Sequence, residues 1–237
     1  MKKSRAVLLF LCISSVLFTV GCNNKNANEE VDANIENFHN ILNEFYESNY
    51  SYRKTLTQND DEILTVIEGE RISSDYKEHV SIIQSEGGSL WTEAYYWQDN
   101  GRISAKMKTD SGWIDGNAAR EYPYGYGADF NDIQYTKQGN DYIYTAEYTL
   151  DIGKGYQIPS LNAAVSQEYY IDASEQRIEK IITDLSDCNY KAGLANLMSA
   201  NGCSLEEAKE QMDPDDFEQR ETLEILSYDI DTIDIKW

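Results

Sequence analysis

The chain has 237 residues, with 20 Lys and Arg against 42 Asp and Glu, a net charge of −22. Its apolar share of 41% is enough for a packed core and excludes wholesale disorder. The excess of acid excludes nucleic acid as a partner, because a phosphate backbone needs positive charge opposite it, and it opposes adsorption to anionic lipid heads. With 2 His and 4 Cys there is little material for metal or nucleophilic chemistry, and neither a metal nor a cofactor is expected.

Lys2, Lys3 and Arg5 make a basic start, after which residues 6–20 run without charge. That stretch falls short of the ~20 apolar residues of a membrane-spanning helix and fits the apolar region of a signal peptide. It leads into Thr19-Val20-Gly21-Cys22, which resembles the lipobox of bacterial lipoproteins. The resemblance implies cleavage between Gly21 and Cys22 and a diacylglyceryl thioether, with palmitate-type chains, on Cys22. Two acyl chains, at ~0.8 kcal/mol per buried methylene, hold a protein stably on a membrane. The expected location is the extracytoplasmic face of the cell membrane. Losing residues 1–21 removes three positive charges and no acid, so the net charge moves from −22 to −25. Residues 22–29 then form the lipidated N-terminus and a polar tether, Asn23 to Asn28. Cys12 leaves with the signal, so Cys188 and Cys203 remain. In an oxidising compartment they either pair, closing a loop of about 15 residues, or persist as buried thiols.

From Glu29 the pattern becomes helical. Val31, Ile35, Phe38, Leu42, Phe45 and Tyr46 recur at steps of three and four, predicting an amphipathic helix that ends near Ser48. Glu29, Glu30 and Asp32 fall in its first turn, where the helix dipole favours acids. His39 falls on the polar face, in solvent.

After Asn49 the period is two. Strands are predicted at about Ser51–Gln58, Ile63–Ile72, Tyr76–Ser85, Leu90–Gln98, Arg102–Thr109, Ile133–Lys137, Tyr142–Leu150, Val165–Ile171, Arg177–Leu185 and Glu221–Tyr228, with a closing strand near Thr232–Trp237. Asp99-Asn100-Gly101 and Gln138-Gly139-Asn140 suit tight hairpin turns. Gly116 to Asn131, with Tyr122-Pro123-Tyr124-Gly125-Tyr126-Gly127, reads as an aromatic loop. Asn189 to Arg220 reads as a helical insertion of two short helices, the second opened by a capping box at Ser204-Leu205-Glu206-Glu207. The expected fold is therefore α+β: one domain over residues 30–237, built on a long antiparallel β-meander. The meander forms a curved sheet or half-open barrel, with an N-terminal helix and a helical insertion at 189–220 near the C-terminus.

Catalytic motifs are missing: there is no H-E-x-x-H, C-x-x-C, G-x-S-x-G or phosphate-binding loop. Ser51 to Lys54 and Ser74 to Lys77 match S-x-x-K, but both fall in predicted strands, where residues three apart face opposite ways. Acid pairs such as Glu206/Glu207 and Asp229/Asp231 are unavoidable among 42 acids and read as solvated surface. The chain is read as non-catalytic.

The aromatic content, with 18 Tyr, is the informative feature. Alternation places Tyr142, Tyr144 and Tyr148 on one sheet face, and that face must be buried or occupied. Lipobox, tether, helix and meander together resemble the layout of LolA/LppX-like lipoproteins. The stretches that carry the likeness are Ile67-Glu68-Gly69 to Ile72, Glu93 to Arg102 ending at Gly112-Trp113, Tyr169 to Lys180, and Ser227-Tyr228-Asp229 onward. Members of that group carry lipids or acylated proteins in the concavity of a half-open barrel. The resemblance implies a membrane-anchored lipoprotein that binds or senses an apolar ligand there. The alternative is a surface module that binds a protein or glycan partner through Tyr122, Tyr124 and Tyr126.

Overall fold

A computed structural model describes residues 33–59, 62–84, 90–118 and 125–234. The predicted signal segment, Gly21, Cys22, the predicted tether, Glu29, Glu30, Asp32, Tyr122 and Tyr124 all lie outside them. The first helix, α1 (Ala33–Glu47), buries Phe38, Ile41, Leu42, Phe45 and Tyr46 as one stripe. His39 is exposed on its other side. Ile41 joins the predicted stripe because steps of three and four from Phe38 and Phe45 both reach it.

Eleven strands follow among the described residues: β1 (Tyr50–Gln58), β2 (Glu62–Ile72), β3 (Lys77–Gln84), β4 (Leu90–Asp99), β5 (Arg102–Thr109), β6 (Gly112–Ala118), β7 (Asp132–Gln138), β8 (Asp141–Asp151), β9 (Asn162–Asp172), β10 (Arg177–Asp184) and β11 (Gln219–Ser227). They form one sheet in the order β6-β5-β4-β3-β2-β1-β11-β10-β9-β8-β7, and neighbours are antiparallel. The α+β class, the curved open sheet, the N-terminal helix and the C-terminal helical region are as expected. The meander, however, is two meanders joined where the first strand pairs with the last. The Asp99–Arg102 hairpin has positive φ at both Asn100 (48°) and Gly101 (76°), the backbone of a type I′ turn.

Two predicted elements differ. Gly112–Ala118, partly assigned to the aromatic loop, is an edge strand. Its two glycines weaken strand propensity, but the ladder with β5 overrides it. The closing strand at Thr232–Trp237 is absent over residues 231–234, and residues 235–237 lie outside the described set. Both sides of β11 are already taken, by β1 and β10, so no ladder position remains for a further strand there.

The sheet is curved. Its edges β6 and β7 are joined by residues 119–131, a connection that reaches at most about 46–50 Å when fully extended. Ten flat strand spacings would span about 48 Å, so a flat sheet would stretch that connection to its limit. Part of that connection is also committed to α1: the Phe130 ring centroid lies 6.1 Å from that of Phe38, and Tyr126 meets Tyr46 edge-on at 4.8 Å. The trough so formed holds α1. One cluster joins the helix to Tyr50 and Tyr52 of β1, Tyr144 of β8, Tyr169 and Ile171 of β9, Ile178 and Ile181 of β10 and Leu223 of β11, reaching Ile67, Val80 and Ile133 on β2, β3 and β7. Eight strands around one helix define the concave face. Phe38 stacks on Tyr144 at 4.8 Å, and Phe45 on Tyr50 at 5.0 Å.

A second, smaller core lies at the far end of the molecule. It packs Leu161, Leu194, Ala195 and Ala208 between short helix α2 (Gly153–Tyr156), α3 (Ser186–Asn201) and α4 (Leu205–Lys209). The helical region thus starts at Ser186 and ends in a 3₁₀ turn, Pro214–Phe217. The capping box on α4 is present, with Ser204 and Glu207 bonded reciprocally. Cys188 and Cys203 are not joined by a disulfide. Cys188 sits in the first turn of α3 and Cys203 just beyond its C-cap Gly202. A helix of this length sets them about 20 Å apart, against the ~4.4–6.8 Å between Cα atoms that a disulfide spans.

Candidate functional site

The helix occupies the centre of the concave face, so ligand space there is taken by side chains. The limb formed by β2–β6 extends beyond it. Cross-strand register builds a continuous row on this limb, from Gly69 to Val80, Ala94, Met107 and Ile114. A parallel row runs Ile67, Ile82, Thr92. Successive strands contribute every second residue to the same face, which is why Ile103, Ala105 and Met107 of β5 align. Ala94 and Ala105 are buried among their larger neighbours, whereas Met107 is 39% exposed and Ile114 50% exposed. The row therefore leaves the core at Tyr52 and Gly69 and opens to solvent at β5 and β6. Four strand spacings make it about 19 Å long.

A buried polar network marks the inner border of this trough. Arg71 and Glu78, cross-strand partners on β2 and β3, are both almost fully buried. Tyr52 Oη donates to Glu78 Oε1 at 2.8 Å, and Tyr76 Oη donates to Glu78 Oε2 at 2.6 Å. The Arg71 guanidinium lies 5.4 Å from the Tyr76 ring centroid. Burial, reinforced by the Glu78 charge, pushes the Tyr52 hydroxyl well above the usual tyrosine range. Burial works to lower the Arg71 pKa, but Tyr50 and Glu78 outweigh it, and the guanidinium is held more firmly charged. A neutral phenol that donates to a carboxylate beside a fixed cation can hold strands together, and its raised pKa keeps the proton on its own oxygen at ordinary pH.

The opposite face of the same limb carries a second network. His79 stacks on Tyr95, with ring centroids 4.4 Å apart. His79 Nε2 lies 2.8 Å from Glu93 Oε1, which also accepts from Tyr95 Oη at 3.2 Å, and Lys108 Nζ is 3.6 Å from Glu93 Oε2. Burial acts to raise the Glu93 pKa, but the bonds from His79 and Tyr95 and the charges of His79 and Lys108 prevail and hold it below the usual range. A cleft of about 340 Å³ adjoins this network, lined by Glu70, His79, Tyr95, Thr232, Ile233 and Asp234.

Of the residues singled out by sequence, Tyr126 is 46% exposed at the rim, and the structure brings it against α1 rather than the trough. Ser51 and Lys54 lie on strand β1, where no helical turn unites them. Among the described residues no group of three or more His, Cys, Asp or Glu is placed to hold a metal ion. Neither Met107 nor Ile114 stands out in the sequence, although the period-two run Ile103, Ala105, Met107 signals one sheet face. No family model matches the chain, and a comparison with curated proteins finds no match.

Proposed function

We propose that the protein is a non-catalytic lipoprotein, anchored through Cys22 on the extracytoplasmic face of a membrane, that receives an apolar ligand on the concave face of its β2–β6 limb. The single observation that carries the ligand reading is the row from Gly69 to Ile114, whose outer members Met107 and Ile114 are large, apolar and well exposed. A trough of this length and chemistry suits one extended acyl chain of a lipid or acylated molecule. The anchor reading is supported by the basic start, the uncharged segment and Thr19-Val20-Gly21-Cys22. The resemblance in layout to LolA/LppX-like lipoproteins agrees with both. Mass spectrometry of protein extracted from its native membrane tests the proposal: the expected result is an acylated Cys22 at the N-terminus and a co-purifying lipid. An unmodified N-terminus without lipid would overturn it.

The second reading, a protein or glycan partner held by Tyr122, Tyr124 and Tyr126, draws on the exposure of Tyr126 at the rim. It predicts that Tyr126→Ala weakens partner capture while lipid retention is unchanged.

A further inference from the structure

The outward face of a curved sheet is ordinarily left to water, and near the middle of this one it is. Arg53 pairs there with Glu68 at 2.6 Å, both side chains being nearly half exposed. The limb β2–β6 is different. Beyond β11 the chain turns past the end of α1 and settles on the convex side of the limb. Tyr228 Oη donates to the Ile178 carbonyl of β10 at 2.6 Å, with the Arg177 guanidinium 5.1 Å from its ring centroid. Asn49 Nδ2 donates to the Ile230 carbonyl at 3.2 Å, while Asn49 Oδ1 accepts from Ser73 N at 3.0 Å. Ile233 is then buried with Ile72 of β2 and Tyr95 of β4, in a cluster completed by Ile230, Trp97 and Trp113.

We infer that residues 228–234 are a strap that holds the β2–β6 limb at its present curvature against the body of the protein. The segment is fastened to β10 at one end and to the convex side of β2 and β4 at the other. Between these points it passes β11 and β1, the pair that joins the two meanders. An open sheet changes curvature by small rotations at each ladder, and a segment fixed on both sides of a ladder resists them. The strap's own attachment is light. Residues 231–234 join no strand, Ile233 is their one buried side chain, and a cleft of about 340 Å³ adjoins them. Fastening of this kind lies at the low-stability end of a fold and opens without global unfolding. Regulation of the trough by the strap rests on the ligand reading above: releasing the strap lets the limb swing outward and widens the mouth at Met107 and Ile114.

Hydrogen exchange of the full chain, read by mass spectrometry, tests the strap without any ligand. Ile233→Asp should raise exchange in β4–β6 about tenfold or more while β8–β10 keep their wild-type protection. Tyr228→Phe, which deletes one hydroxyl and keeps the ring, should produce a smaller change in the same strands. Unchanged exchange in both variants would overturn the inference, as would an equal rise in β8–β10. Uptake of a dansylated fatty acid, measured on the same proteins, addresses the ligand separately. Faster uptake by Ile233→Asp supports control of the trough by the strap. If no variant and no wild-type protein takes up the probe, the ligand reading fails, and the exchange data still decide the strap.

Discussion

Gly69 of β2 lies directly beneath the ring of Tyr52 of β1: a Cβ at residue 69 would overlap Tyr52 Cζ and come within 2.6 Å of its Cε1 and Oη. The phenol must lie flat there to reach Glu78, so the glycine is required by packing rather than by an unusual backbone. Gly69→Ala should therefore destabilise the protein by about 1–3 kcal/mol, the usual range for overpacking a core. Urea unfolding measures it, and Tyr52→Leu in the same chain should recover part of the loss. Additive losses would mean that the two residues do not share the space.

Glu78 is the shared acceptor of two buried hydroxyls and the negative partner of buried Arg71. Its removal leaves a cation and two phenols without that carboxylate. Glu78→Ala should cost about 3–5 kcal/mol, as expected when one member of a buried charged set is deleted. A loss below 1 kcal/mol in denaturant titration would show that the network contributes little.

Glu93 gives a pH dependence of definite sign. Its folded pKa lies below the ordinary carboxylate value of 4.5, so the unfolded chain takes up the proton first as the pH falls. The stabilisation is complete above that value and is lost as the pH drops through the folded one. The stability difference between wild type and Glu93→Gln should shrink from pH 6 toward pH 3, read as urea midpoints. A difference that is constant over this range would exclude the linkage.

The trough predicts a substitution that alters binding and spares the fold. Met107 and Ile114 are exposed cross-strand partners, so the uncharged pair Met107→Gln with Ile114→Thr should change stability by no more than about 0.5 kcal/mol at each site. The pair should abolish retention of a dansylated fatty acid. Full retention by the stable double variant would place the ligand elsewhere.

Cys22→Ser tests the anchor. The variant removes the thiol proposed to accept diacylglycerol, so incorporation of labelled palmitate should disappear. With a net charge of −25 the cleaved chain has no electrostatic affinity for an anionic bilayer. Cell fractionation should find the variant released, or held through an uncleaved segment 1–21, the proposed signal. Equal palmitate labelling of wild type and variant would refute lipidation at Cys22.

The sequence by itself determined what is decided within a few residues. The stripe on α1, the Asn100-Gly101 reversal, the Ser204–Glu207 capping box and the shared face of Tyr142, Tyr144 and Tyr148 all follow from helical or alternating period and from turn chemistry. The proposed anchor at Gly21 and Cys22 rests on a local signal too, and its test is the palmitate labelling above. The tertiary structure decided which elements became neighbours. Nothing local makes Tyr52 the partner of Ile225 across the sheet, or turns Gly112–Ala118 into an edge strand beside β5. Cys188 and Cys203 look close in sequence and are separated because one continuous helix lies between them. Residues 231–234 alternate like a strand yet find no free ladder, so Ile233 packs on Tyr95 and Ile72 instead. Backbone period is set by adjacent side chains, whereas strand order depends on which long loops close and which sheet edges are already paired, and that competition is resolved only in the folded chain.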